Sequence, residues 1–110
     1  MPTLLPRDDD NAVIPVLRLR PGGAHRINAS AVSARNTAGF ESGTKVVSVY
    51  ATADVYIRTG GATVTATTND HFLPAGVYLD IAVGGRQGMH THLAAITASG
   101  TATVHISEKD

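Results

Sequence analysis

The sequence predicts an all-β protein, an antiparallel β-sandwich carrying an extended N-terminal arm. Three observations predict it. Short apolar runs recur at roughly 8–12-residue spacing. In the clearest runs apolar and polar residues alternate, which is the period of a strand with one buried face. Clusters of glycine, proline, asparagine and aspartate separate the runs. A jelly roll is one arrangement open to such a chain. Helical competition is weak, because the alanine-rich run 93–98, LAAITA, is too short and too closely flanked by glycine.

Residues 1–15 form the predicted arm and 16–110 the single sandwich domain. In the arm, Pro2, Pro6 and Pro15 bracket Leu4, Leu5 and the run Arg7-Asp8-Asp9-Asp10. Proline favours extended backbone and removes ladder donors. Two leucines on such an arm suit packing against a partner; a frayed terminus is the alternative. Residues 16–20, VLRLR, alternate, with Leu17 and Leu19 on one face, and Pro21-Gly22-Gly23 reads as a break. AHRIN (24–28) and AVSAR (31–35) are short candidate strands, and 36–44 is a loop. KVVSVYAT (45–52) and DVYIRT (54–59) are strands rich in β-branched and aromatic residues. Gly60-Gly61 signals a hairpin into ATVTATT (62–68). NDHFLPAG (69–76) is a turn, and VYLDIAV (77–83) a half-buried strand with Val77, Leu79, Ile81 and Val83 on one face. After the glycine-rich loop 84–89 comes the apolar run 90–98. Ser99-Gly100 then turns into a last strand, 101–107, with a short charged tail Glu108-Lys109-Asp110.

Composition bounds the function. The 110 residues make one domain, with nine basic and nine acidic side chains and a formal net charge of zero. The absence of cysteine excludes disulfide scaffolds and zinc ribbons. A chain without positive excess is not expected to bind nucleic acid. No run approaches the roughly 18–20 apolar residues of a membrane span, and the first ten residues lack the pattern of a signal peptide, so synthesis in the cytoplasm is expected. The 16 alanines and 11 valines, against five phenylalanines and tyrosines, make a thin core. Thin cores are often completed by neighbouring subunits, so a homo-oligomer, dimer or trimer, is expected.

Catalytic equipment is sparse. His90-Thr91-His92 puts two imidazoles on one face of a strand, a spacing able to hold a transition metal. The segment GGRQGMHTH invites comparison with the cupin family, whose H-x-H pair is followed by a glutamate. Here Leu93-Ala94-Ala95-Ile96 stands in that place, and the P-x-G element Pro74-Ala75-Gly76 precedes the histidines instead of following them. A metal-dependent cupin-like enzyme is therefore a minor alternative. Gly84-Gly85-x-x-Gly88 joins strands and opens no helix, so it lacks the usual phosphate cradle. Arg18, Arg20, Arg26, Arg35, Arg58 and Arg86 are scattered, which suits salt bridges better than a nucleic-acid surface. No catalytic residue, metal or cofactor is expected.

Residues from about Arg7 to Glu108 resemble the small all-β structural proteins of tailed-bacteriophage virions. The resembling stretches are KVVSVYATADVYIRTGGATVTATTNDHFLPAGVYLDIAVGG and THLAAITASGTATVHISEKD. The resemblance implies a non-enzymatic capsid cement or decoration protein, made in the host cytoplasm and carried on the capsid surface. Its partner would be the major capsid protein. A small tail or head–tail connector component is the alternative within the same class, and a carbohydrate-binding tail module a further one, disfavoured by the lack of tryptophan. The residues expected to make the contacts are Leu4, Leu5, Pro6, Arg7 and Asp8 of the arm, with Phe40, His71, Phe72 and Arg86 at loop tips.

Overall fold

Alternation decides which side chains meet across the sandwich. In the computed structural model, which describes residues 5–13, 16–86 and 88–109, eight strands make two four-stranded antiparallel sheets. They are β1 (Leu19–Ala29), β2 (Ala34–Arg35), β3 (Val46–Ala51), β4 (Val55–Gly60), β5 (His71–Leu73), β6 (Leu79–Ala82), β7 (His92–Ile96) and β8 (Ala102–Lys109). One sheet runs β1-β8-β3-β6, the other β2-β7-β4-β5. The pairs β4–β5, β3–β6, β2–β7 and β1–β8 nest inside one another, like one long hairpin rolled into two layers. Among the described residues there is no helix, and so none able to cross a membrane.

The inner faces carry every second residue. Val47, Val49 and Ala51 of β3 and Val104 and Ile106 of β8 meet Val55 and Ile57 of β4 and Leu93 and Ala95 of β7. All nine are at most 4% exposed. Each fully buried valine or leucine contributes roughly 1.5–3 kcal/mol. The core is built largely of valine and alanine. Phe40 is its one aromatic member.

Four expectations are corrected. Pro21-Gly22-Gly23 does not end a strand. It forms a bulge inside β1, where six residues (Leu19 to Ala24) oppose three of β8 (Ser107 to Lys109). The three extra residues are an odd number, so facing is reversed across the bulge. Leu19 therefore points out and is 62% exposed, while Arg20 turns towards Glu108.

The second correction concerns 62–68, which is not a strand. Arg35 Nη1 donates to the Val64 carbonyl, and the Ala66 N–H donates to Ser33 Oγ at 2.8 Å. Those partners lie in and just before β2, one edge of its sheet, whereas the chain must reach β5 at the other edge. Three strand spacings, about 14 Å, separate the edges, so the segment crosses the outer face. Ala94, which alternation places on that outer face, is consequently fully buried. Third, His71–Leu73, expected in a turn, pairs with Val55–Ile57 as β5. Fourth, strand 77–83 begins only at Leu79, and Val77 stays 43% exposed.

Candidate functional site

β5 and β6 are the last strands of their sheets, joined by the corner 74–78 that carries the chain from one layer to the other. Gly76, at φ +78°, donates its N–H to the Ala51 carbonyl at 3.0 Å, and the Ala75 N–H donates to Asp54 Oδ1 at 2.8 Å. These bonds pin the corner, and among the described residues no strand pairs with either outward edge. Between them lies a cleft of about 440 Å³ that includes Ile57, Arg58, His71, Phe72, Leu79 and Ile81. The register explains its floor. Leu79 opposite Val49, and Ile81 opposite Val47, share the buried valines' face, yet Leu79 is 38% exposed because no strand closes this side. Arg58 and His71 have no side-chain hydrogen bond or ion pair among the described residues.

The outer surfaces beside the cleft are aromatic. Tyr56 and Phe72 lie opposite each other with ring centroids 5.4 Å apart, and Tyr50 and Tyr78 are 4.9 Å apart. Nearby, Asp80 accepts from Ser48 Oγ at 2.5 Å and from Lys109 Nζ at 3.0 Å. These two hydrogen bonds hold the Asp80 carboxyl below its ordinary range.

The N-terminal segment is not simply extended. Asp8 Oδ1 accepts from the N–H groups of Asp10 and Ala12, both at 2.9 Å. Arg7 Nη1 donates to the Asn11 carbonyl at 2.8 Å, Asn11 sits at φ +63°, and Arg7 bridges Val13. Asparagine tolerates that left-handed backbone better than most residues, and an aspartate acceptor organises such turns. Residues 5–13 are all exposed. Asp8 and Arg7 are therefore engaged in building a turn; Leu5 and Pro6 precede it, and Leu4 lies outside the described residues.

The remaining expected contact residues separate. His71 and Phe72 come together at the cleft. Arg86 is exposed at a different hollow, shared with Ser42, Lys45 and Met89. Phe40 is 5% exposed and packs edge-on against the His25 ring, centroids 5.1 Å apart, so it is a core residue and not a loop tip.

A buried polar cluster escaped the sequence reading. Glu108 continues the inner face of Ala102, Val104 and Ile106, and its side chain is 2% exposed. It accepts from Thr44 Oγ1 at 2.5 Å, the Glu41 N–H at 2.8 Å and His25 Nε2 at 2.7 Å, with Arg20 Nη1 at 3.5 Å. Burial pushes this carboxyl up. The bonds from Thr44, His25 and Glu41, together with the positive charge of His25, outweigh burial and hold it below its ordinary value. The cluster ties β1, β8 and the loop 36–45 together at one end of the sandwich. The visible signal was period two running on into the tail.

The histidines of the H-x-H pair part company. His90 precedes β7, is exposed, and its Nδ1 shares a hydrogen bond with Thr59 Oγ1 at 2.7 Å. His92 Nδ1 is bonded to the Thr91 hydroxyl at 2.7 Å, and the inward direction of Leu93 places His92 on the outer face of its sheet. Among the described residues no three histidine or carboxylate side chains gather as a metal-binding group. Compared with known proteins, the chain matches no family, no curated protein and no solved structure.

Proposed function

We propose that the chain is a non-enzymatic virion structural protein, a cement protein that binds the outside of a phage capsid and joins neighbouring subunits. The observation that carries this reading is the distribution of exposed large apolar side chains. Of nine among the described residues, four lie between Leu5 and Leu19 and four between Phe72 and Leu79. A freely soluble monomer rarely keeps contiguous apolar patches exposed. Two separate patches let one molecule touch two neighbours, which is what joining subunits requires.

The nested strand pairing supports a jelly-roll reading of the sandwich. Jelly rolls serve viral capsid and lectin domains and cupins. An outward His92 disfavours the cupin, and a chain without tryptophan has little to stack on sugars. The virion role remains the best supported of the three. In it, the outward rings of Phe72 and Tyr78 meet the shell, a surface aromatic enough for interface anchors.

The test is direct. Particles of the virus whose genome carries this sequence are purified, chemically cross-linked and digested. Cross-links from residues around Phe72 and Tyr78 to the major shell protein are expected. Absence of the chain from purified particles, or cross-links to tail proteins alone, overturns the cement role.

A further inference from the structure

The two apolar patches of the chain match each other in charge as well as in hydrophobicity. The N-terminal turn has an acidic tip, Asp9 and Asp10, whose carboxylates have no hydrogen-bond or ion-pair partner among the described residues. Leu5 and Val13 flank it, 40% and 48% exposed. The cleft between β5 and β6 has an apolar floor of Ile57, Leu79 and Ile81 and two basic groups, Arg58 and His71, with no acidic side chain in its lining. No residue of the turn is in the cleft's own lining. Leu19, Lys109, Val46 and Ala82 form one row across the sheet, so the segment leaves at the β1 edge while the cleft lies at the β6 edge. The hydrogen bonds of residues 5–13 run among themselves.

We propose that the cleft between β5 and β6 receives the 5–13 turn of a second copy of this chain. Leu5 and Val13 cover the apolar floor, and Asp9 and Asp10 face Arg58 and His71. This deepens the cement reading by naming the neighbour that one patch meets, and it leaves the outward rings of Phe72 and Tyr78 for the shell. Donor and acceptor are different surfaces, so the contact is heterologous; copies close into a ring or continue as an array.

The chain has no native cysteine, which makes the test clean. Ala12→Cys and Ala82→Cys, both at exposed positions, are made in separate preparations, mixed and oxidised. The mixture is expected to give a covalent dimer in clear excess over either variant alone. Arg58→Glu in the acceptor is expected to cut that yield about tenfold, and Asp9→Lys with Asp10→Lys in the donor to restore it. Sedimentation velocity of the unmodified chain is expected to show concentration-dependent association that weakens with salt and is lost in Leu79→Asp; circular dichroism verifies that this variant folds. Three results overturn the proposal: no excess of mixed dimer, monomers up to millimolar concentration, or an internal disulfide without oligomers in the doubly substituted chain. All are read without any shell present, so failure here is separable from failure to bind a capsid.

Discussion

His25 Nε2 lies 2.7 Å from Glu108 Oε2, joining the adjacent strands β1 and β8 through a carboxylate whose side chain is 2% exposed. A charge so deeply placed is tolerated because all its partners are present. Removing one partner is therefore expensive, whereas the intact pair adds modestly to stability.

Glu108→Ala is expected to lower unfolding stability by about 3–5 kcal/mol, since Thr44, His25 and the Glu41 N–H lose their acceptor inside the fold. Glu108→Gln keeps the shape and is expected to cost less, about 1.5–3 kcal/mol. Urea denaturation followed by circular dichroism at neutral pH checks both.

The same group sets a pH dependence. Its folded-state pKa lies below the ordinary 4.5, so the unfolded chain takes the proton first as pH falls. The stability due to ionised Glu108 is complete above about pH 4.5 and is lost as pH drops through the lower folded-state value. Denaturation midpoints of the natural chain and of Glu108→Gln are expected to converge below that pH. A gap that stays constant from neutral pH down to the acid transition contradicts the assignment.

Gly23→Ala is expected to destabilise by about 1–3 kcal/mol through overpacking. A Cβ there would sit 2.9 Å from Glu108 Cβ and 3.1 Å from the Arg20 carbonyl oxygen. Gly22→Ala meets open space at φ +76° and pays only the left-handed backbone, about 1–2 kcal/mol. Thermal melts of the two variants rank them.

Ala66→Asp is expected to cost about 1–3 kcal/mol, because the new carboxylate enters a site that is 4% exposed. On a free hairpin it would be nearly neutral. Denaturant melts distinguish these outcomes and test the crossing of residues 62–68 over the outer face.

Asp8→Ala is expected to leave the melting temperature of the sandwich unchanged, while backbone amides of Asp10 and Ala12 exchange faster. Its hydrogen bonds are local, each worth about 0.5–1.5 kcal/mol. Amide exchange by nuclear magnetic resonance reads this directly.

How far the sequence disclosed all this depends on what period two can say. KVVSVYAT, DVYIRT and TATVHIS disclosed β3, β4 and β8, since alternation with valine and isoleucine had one physical solution. ATVTATT alternates equally well, but a segment lying across a sheet also turns alternate residues down, and only its bonds to Ser33 and Arg35 reveal the difference. Pro21-Gly22-Gly23 was ambiguous because a bulge and a break both call for glycine. The cleft was half legible. The sequence points to His71 and Phe72 but places them in a turn, because a three-residue edge strand carries too few residues to show a period. Arg58 needed the sheet order, which no local pattern encodes. The charge of Glu108 groups it with the short tail and hides the inward position it holds in the alternation of β8.

The pairing of Leu19 with Lys109 places the start of β1 and the end of β8 side by side. Tension applied at those two points would load the β1–β8 ladder one hydrogen bond at a time, peeling it like a zipper, and would meet little resistance. A force entering through the faces or through the β6 edge meets the whole breadth of the sheet at once. Such a fold is strong when loaded across its sheets and weak when hung by its ends.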